Sequence, residues 1–275
     1  GHIGKGAQRW INLGVIKFQP AELMKIACPL VIAWYLSFKE TTPSFKEIVI
    51  SCLLIFIPCL LIIKQPDLGT AILISLGGCY TLFFAGISYK YIIFSFLSII
   101  IGLPIFWHFL HDYQKQRVLT FLNPENDPLG SGYHIIQSKI AIGSGGIFGK
   151  GIFQGTQSQL QFLPERTTDF IFAVFCEEFG MVGTLVLLTI YVLIIGRGIF
   201  ISINAQNKFT RLLSGSLTLI FFTYVVVNIS MVTGILPVVG VPLPLISFGG
   251  TSMLTLMVSL GILISIHKHK NFMVK

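Results

Sequence analysis

The residues of this chain that could do chemistry lie in short polar islands between long apolar runs. The densest island reads PERTTDFIFAVFCEEFG over 164–180. Thr167 or Thr168 can cap a helix running into the apolar stretch beyond, and Asp169 is expected in its first turn, where the helix dipole favours negative charge. Glu165, Arg166, Glu177 and Glu178 crowd around it in sequence. Two successive acids inside an apolar run are expensive unless they face water or partners. A carboxylate at a half-dry boundary beside cations suits a general base.

Three further islands carry candidates. Glu22 and Lys25, in QPAELMKIACPLVIAW, stand three apart and share a helix face, where they can pair. Either a structural ion pair or a site within a span accounts for them. Asp67, in KQPDLGT, stands where a carboxylate caps helix N–H groups and could also face a ligand. Gly143, Gly145, Gly146, Gly149 and Gly151 surround Lys150. Clustered backbone N–H groups with one cation can cradle phosphate, although this spacing matches neither a Walker loop nor a dinucleotide fingerprint. The segment GILPVVGVPLPLISFGGTS, 234–252, puts three prolines into hydrophobic sequence and predicts broken backbone lining a cavity. There is no HExxH pattern and no histidine cluster. His108 and His111 read as interfacial residues, and four of the five cysteines lie inside apolar runs as small hydrophobes.

The elements that must position these residues are membrane spans. Hydrophobic residues make up 53% of the chain and charged ones 11%, less than half the ~25% of soluble domains. Seven runs approach the ~20 residues of a spanning helix: roughly 20–37, 47–64, 69–88, 90–110, 170–196, 212–233 and 246–267. The expected fold is an all-α polytopic membrane protein, a single domain over 1–275, with one large extracytoplasmic loop at 111–169 containing a short amphipathic helix near 135–142. Lys39, Lys46, Lys90, Arg197, Lys208, Arg211, Lys268, Lys270 and Lys275 fall on one side, assigned to the cytoplasm. The polar islands then face outward. The net charge of +8 reflects these flanking cations, with no basic face or module for nucleic acid. The chain starts at Gly1 in polar sequence without a signal peptide, and reads as a piece lacking its amino end.

Five motifs in order resemble the SEDS family (shape, elongation, division and sporulation proteins), and within it the rod-shape branch. They are GAQRWINLG with FQPAELMKI, QPDLGTAIL, RVLTFLNPENDPLGSGYHIIQSKIAIGSGG, GTQSQLQFLPERTTDFIFAV and MVTGILPVVGVPLPLISFGGTS. The resemblance implies ten spans, about three of them ahead of this chain. It implies a peptidoglycan glycosyltransferase acting on lipid II, partnered by a class B penicillin-binding transpeptidase and other elongation machinery membrane proteins. A divalent cation, Mg or Mn, is implied, with no organic cofactor. Carried over, Asp169 matches the family's essential aspartate, while Arg9, Glu22, Lys25, Asp67 and Gln137 match positions in or near its substrate cavity. Glu165 is grouped with them as a substrate-binding candidate. The departing pyrophosphate charge would fall to some of Arg9, Lys25, Lys115, Arg117 and Lys150. Two rival readings are a lipid II flippase, whose charged and broken helices would line a path, and a non-catalytic scaffold for a partner enzyme.

Overall fold

A computed structural model describes residues 2–4, 7–12, 17–39, 41–65, 67–110, 112–123, 131–159 and 166–272. Ten helices appear among them: α1 Pro20–Ser37, α2 Phe45–Ile63, α3 Leu68–Phe84, α4 Tyr89–Phe109, α5 Asp112–Leu122, α6 Ser131–Ser144, α7 Thr156–Gln159, α8 Ile171–Ile203, α9 Lys208–Val232 and α10 Gly250–Phe272. The chain is mostly helical but not wholly so. Strands β1 His2–Gly4, β2 Ala7–Asn12 and β3 Lys17–Phe18 form an antiparallel sheet in the order β1-β2-β3, pairing Ile3 with Gln8 and Ile11 with Phe18. The expectation of a purely α fold fails here because the amino-terminal stretch is too polar and glycine-rich for a span.

Among the described residues, four helices are long and apolar enough to cross a membrane: α2, α8, α9 and the Gly250–His269 part of α10. The apolar helix Leu68–Phe84 is shorter, and α1, where Glu22 and Lys25 dilute the hydropathy, is outside that set. The stretch expected as one long loop contains α5, α6 and α7, and its helix near 135–142 extends over Ser131–Ser144. The broken backbone expected at 234–252 is present: no helix covers 233–249, and Gly234, Gly240 and Leu245 all take positive φ.

The chain divides into two compact units. One holds the sheet, α1 to α3, α8 from Val192, α9 up to Thr223, and α10. Its helices meet closely over small residues, as membrane helices do. A Cβ at Gly77 would lie 2.8 Å from Ile220 Cδ1, and one at Gly215 would lie 2.7 Å from Phe84 Cε2. Pro20 begins α1, where its missing N–H costs nothing. Ser44 and Glu47 close a capping box on α2.

The second unit holds α4 to α7, α8 as far as Tyr191, and 224–248. Its α8 is interrupted at Gly180, whose φ of 64° and ψ of −161° break the helical path. Ser138 on α6 donates to the Val232 carbonyl at 2.8 Å, docking α6 on the end of α9.

Candidate functional site

Asp169 is built into the second unit by the backbone around it. It lies in the turn 166–170, two residues before α8 and not in its first turn as expected. Asn228, fully buried on α9, donates through one amide nitrogen to the Asp169 carbonyl at 2.9 Å and the Val241 carbonyl at 2.7 Å. Ser247 donates to the Thr168 carbonyl at 2.6 Å and accepts from the Leu243 N–H at 2.7 Å. The Phe248 N–H donates to the Thr167 carbonyl at 2.9 Å. Residues 167–169 are therefore laced to 241–248 by hydrogen bonds that a broken segment would otherwise leave unmade. Gly240 closes in on the carboxylate: a Cβ there would lie 3.5 Å from Asp169 Oδ2. Asp169 is left half-exposed, on a backbone that cannot easily shift.

Gln137 is half-buried on α6, next to the Ser138 that docks that helix. Lys115 is half-buried and Arg117 exposed on α5. Glu165 lies outside the described residues. Arg9 belongs to β2, with its side chain outside the described residues.

The glycine-rich loop after α6 is packed against the interruption of α8. The N–H groups of Lys150 and Gly151 donate to the carbonyls of Glu177 and Glu178, each at 3.0 Å. Those of Met181 and Val182 donate back to Gly146 and Ile147 at 2.9 and 3.1 Å. A Cβ at Gly145 or Gly149 would overlap the Cys176 or Glu178 carbonyl oxygen. The glycines thus permit backbone-to-backbone packing at the interruption of α8. Lys150 Nζ donates to Glu177 Oε1 at 2.8 Å and to Thr156 Oγ1 at 2.9 Å. The same oxygen accepts from Thr156 Oγ1 and the Gln157 N–H, both at 3.1 Å. Glu177, with 0% exposure, therefore holds the loop in place.

In the first unit, Lys25 Nζ donates to Glu22 Oε1 at 2.6 Å, both side chains buried on α1. Glu22 Oε2 is buried without a hydrogen-bond partner among the described residues. Asp67 caps α3 as expected, Oδ1 accepting from the Thr70 N–H at 3.2 Å. Its Oδ2 accepts from Gln19 Nε2 at 2.9 Å. Sequence reasoning passed over Gln19, Asn228, Ser247 and Gly240. Asn228 carried a signal, being the one amide in the apolar run YVVVNISMV.

Among the described residues, no group of three or more His, Cys, Asp or Glu side chains could hold a metal ion. These residues do not fit a protein-built metal cage.

The model of the FtsW, RodA and SpoVE cell cycle proteins matches residues 1–272 of this chain. The chain belongs to that family, the SEDS family. It is 56% identical over 276 residues to the peptidoglycan glycosyltransferase MrdB of Escherichia coli strain K12, covering 100% of this chain and 75% of that relative. The Helicobacter pylori (strain ATCC 700392 / 26695) MrdB is 40% identical, with 96% of this chain and 69% of the relative covered. Among solved structures, a chain from work on the structural coordination of polymerization and crosslinking by a peptidoglycan synthase complex superposes with a TM-score of 0.82 at 33% identity, covering 98% of this chain and 76% of that one. A variant of the Thermus thermophilus rod shape determining protein RodA superposes with a TM-score of 0.70 at 26% identity, covering 98% and 72%.

Proposed function

We propose that this chain is a peptidoglycan glycosyltransferase that polymerises lipid II into glycan strands for cell elongation, with Asp169 as its base. The observation that carries the reading is the 56% identity, over all of this chain, to a peptidoglycan glycosyltransferase. The fixed, half-exposed carboxylate between 167–170 and 240–248 supports its chemistry.

In the reaction, a sugar hydroxyl of one substrate attacks the anomeric carbon of the other. The new glycosidic C–O bond forms as the bond to the lipid pyrophosphate breaks, and the hydroxyl proton passes to Asp169. Cations stabilise the departing pyrophosphate, with Lys25, Arg9, Lys115, Arg117 and Lys150 as candidates. Glu22, Asp67, Gln137 and Glu165 are assigned to substrate contact. A magnesium or manganese ion would supply further positive charge opposite the departing pyrophosphate. Lys150 is engaged by Glu177 and Thr156, so a role at the phosphate requires exchanging those contacts.

The topology proposed is seven spans, α1 to α4 and α8 to α10, in a bacterial inner membrane, with the site on the extracytoplasmic side. Contacts within the first unit support it, because segments assigned to one side meet each other. Lys208 donates to the carbonyls of Lys39 and Thr41 at 2.6 and 3.0 Å, and Arg197 and His267 lie 2.9 Å apart, all assigned to the cytoplasm. Gln19 meets Asp67 on the opposite side. A class B penicillin-binding protein is the proposed partner, alongside other elongation proteins, a reading supported by the similarity to a chain from a peptidoglycan synthase complex.

The test is reconstitution of the full-length protein with that partner, lipid II and a divalent cation. Polymer is expected from the native protein, and Asp169→Asn should lower the rate by a factor on the order of a hundred or more while still co-purifying with the partner. Normal polymer from Asp169→Asn would overturn the base assignment. No polymer, but movement of lipid II between leaflets, would make the chain a flippase.

A further inference from the structure

The loop between α6 and α7 has two faces of opposite character. Its inner face is polar and satisfied, with Lys150 turned onto Glu177 and four backbone hydrogen bonds joining 146–151 to 177–182. Its outer face carries Ile147, Phe148, Ile152 and Phe153, which are 55%, 83%, 59% and 78% exposed. Phe153 holds a positive φ of 60°, uncommon for a bulky residue, and its N–H donates to Glu178 Oε1 at 3.2 Å.

The hydrogen bonds fix the level of this loop along α8. They register it against 177–182, and the next outward side chains of α8, Met181, Val182, Leu185 and Val186, are also exposed and apolar. Only 17% of the apolar window of α8 is buried by this chain, and its uncovered apolar side matches hydrocarbon. The outer face of the loop thus continues the lipid-facing surface of the helix to which it is bonded. Irregular backbone survives at membrane depth only where its polar groups are answered from within. The Glu177 cluster and the paired N–H and carbonyl groups supply those answers.

We infer that the 145–155 loop is embedded in the bilayer, with Phe148 and Phe153 among the acyl chains of the leaflet at the amino-terminal end of α8. The inference rests on the reading of α8 as a span. Its occupant is phospholipid, because the apolar face runs unbroken into the lipid-facing side of α8 and the loop's lysine is turned away from it.

The test places an environment-sensitive fluorescent amino acid at 148, 153 or 185, one position at a time, in the full-length protein in phospholipid vesicles. Brominated acyl chains are expected to quench the probes at 148 and 153 as strongly as the one at 185, while aqueous iodide leaves all three bright. Iodide quenching at 148 and 153, with lipid quenching kept at 185, would put the loop in water and overturn the inference. Protection of 148 and 153 from both quenchers would show a protein cover and overturn it equally. Loss of lipid quenching at 185 would remove the span itself, and the inference with it. As a second readout, a benzophenone side chain at 148 should yield phospholipid adducts by mass spectrometry. Adducts to protein alone would count against the bilayer.

Discussion

Gly240 and Asp169 are held so near one another that a single added methyl group at 240 would stand 3.5 Å from the carboxylate oxygen Oδ2. That is ordinary contact, so the space admits one carbon and little more. Gly240 also has a φ of 78°, where an L-residue costs about 1 to 2 kcal/mol. Gly240→Ala should therefore lower thermal stability slightly and keep most of the polymerisation rate. Gly240→Val carries the same backbone cost but pushes a branched group toward the carboxylate, and should lose roughly tenfold or more in rate, a barrier increase of about 1.4 kcal/mol. Melting curves and polymerisation rates on both variants separate the two effects. Equal rates for Ala and Val would mean that 240 does not shape the site.

Glu177 should behave as a fastener. Replacing it by Ala strands Lys150, the Thr156 hydroxyl and the Gln157 N–H around a buried gap. Lys150 keeps partial access to water, so the loss should fall below the roughly 3 to 5 kcal/mol of a fully buried pair, and Glu177→Ala should still melt below the native protein. Glu177→Gln keeps acceptor geometry and should be milder. In a double-mutant cycle, Glu177→Gln with Lys150→Met should cost less than the sum of the two single changes. Additive losses would show that the two side chains are not coupled.

The Glu22 and Lys25 pair distinguishes structure from function in another way. Each single neutralisation leaves a buried charge, and should destabilise by about 3 to 5 kcal/mol. Glu22→Gln combined with Lys25→Met leaves none, and should recover much of that loss. If the pair serves the reaction, the double variant will fold but polymerise poorly. Native activity in the recovered double variant would reduce the pair to an ion pair within a helix.

The helices were readable from sequence because long apolar runs have few alternatives in lipid. Pro20 and Ser37 bound α1 as expected, and Asp67 caps α3 because a carboxylate ahead of an apolar run has one obvious use. Pairing of Glu22 with Lys25 followed from their spacing of three. The sheet was missed because 2–18 has no run long enough to impose a period. The role of the glycines was missed for a different reason. Composition shows that backbone can come close, but only the fold shows that it comes close to the 177–178 carbonyls. Asn228 and Ser247 act on residues 59 and 79 positions away, a range at which local pattern carries no information.

The contrast between α8 and α9 bears on how far a substitution is felt. The two are similarly apolar, with mean hydropathies of 2.3 and 1.9, yet 72% of the α9 window is buried against 17% for α8. Ser214, Ser216 and Thr218 in α9 are buried and bond to carbonyls of their own helix, and Asn228 is the amide that ties down the Asp169 turn. Both are apolar enough to enter lipid, but in the folded chain α8 stays mostly against that solvent whereas α9 is enclosed by protein. A change on the buried side of α9 is therefore felt by its packed neighbours, and Asn228 hands it on to the turn that holds Asp169.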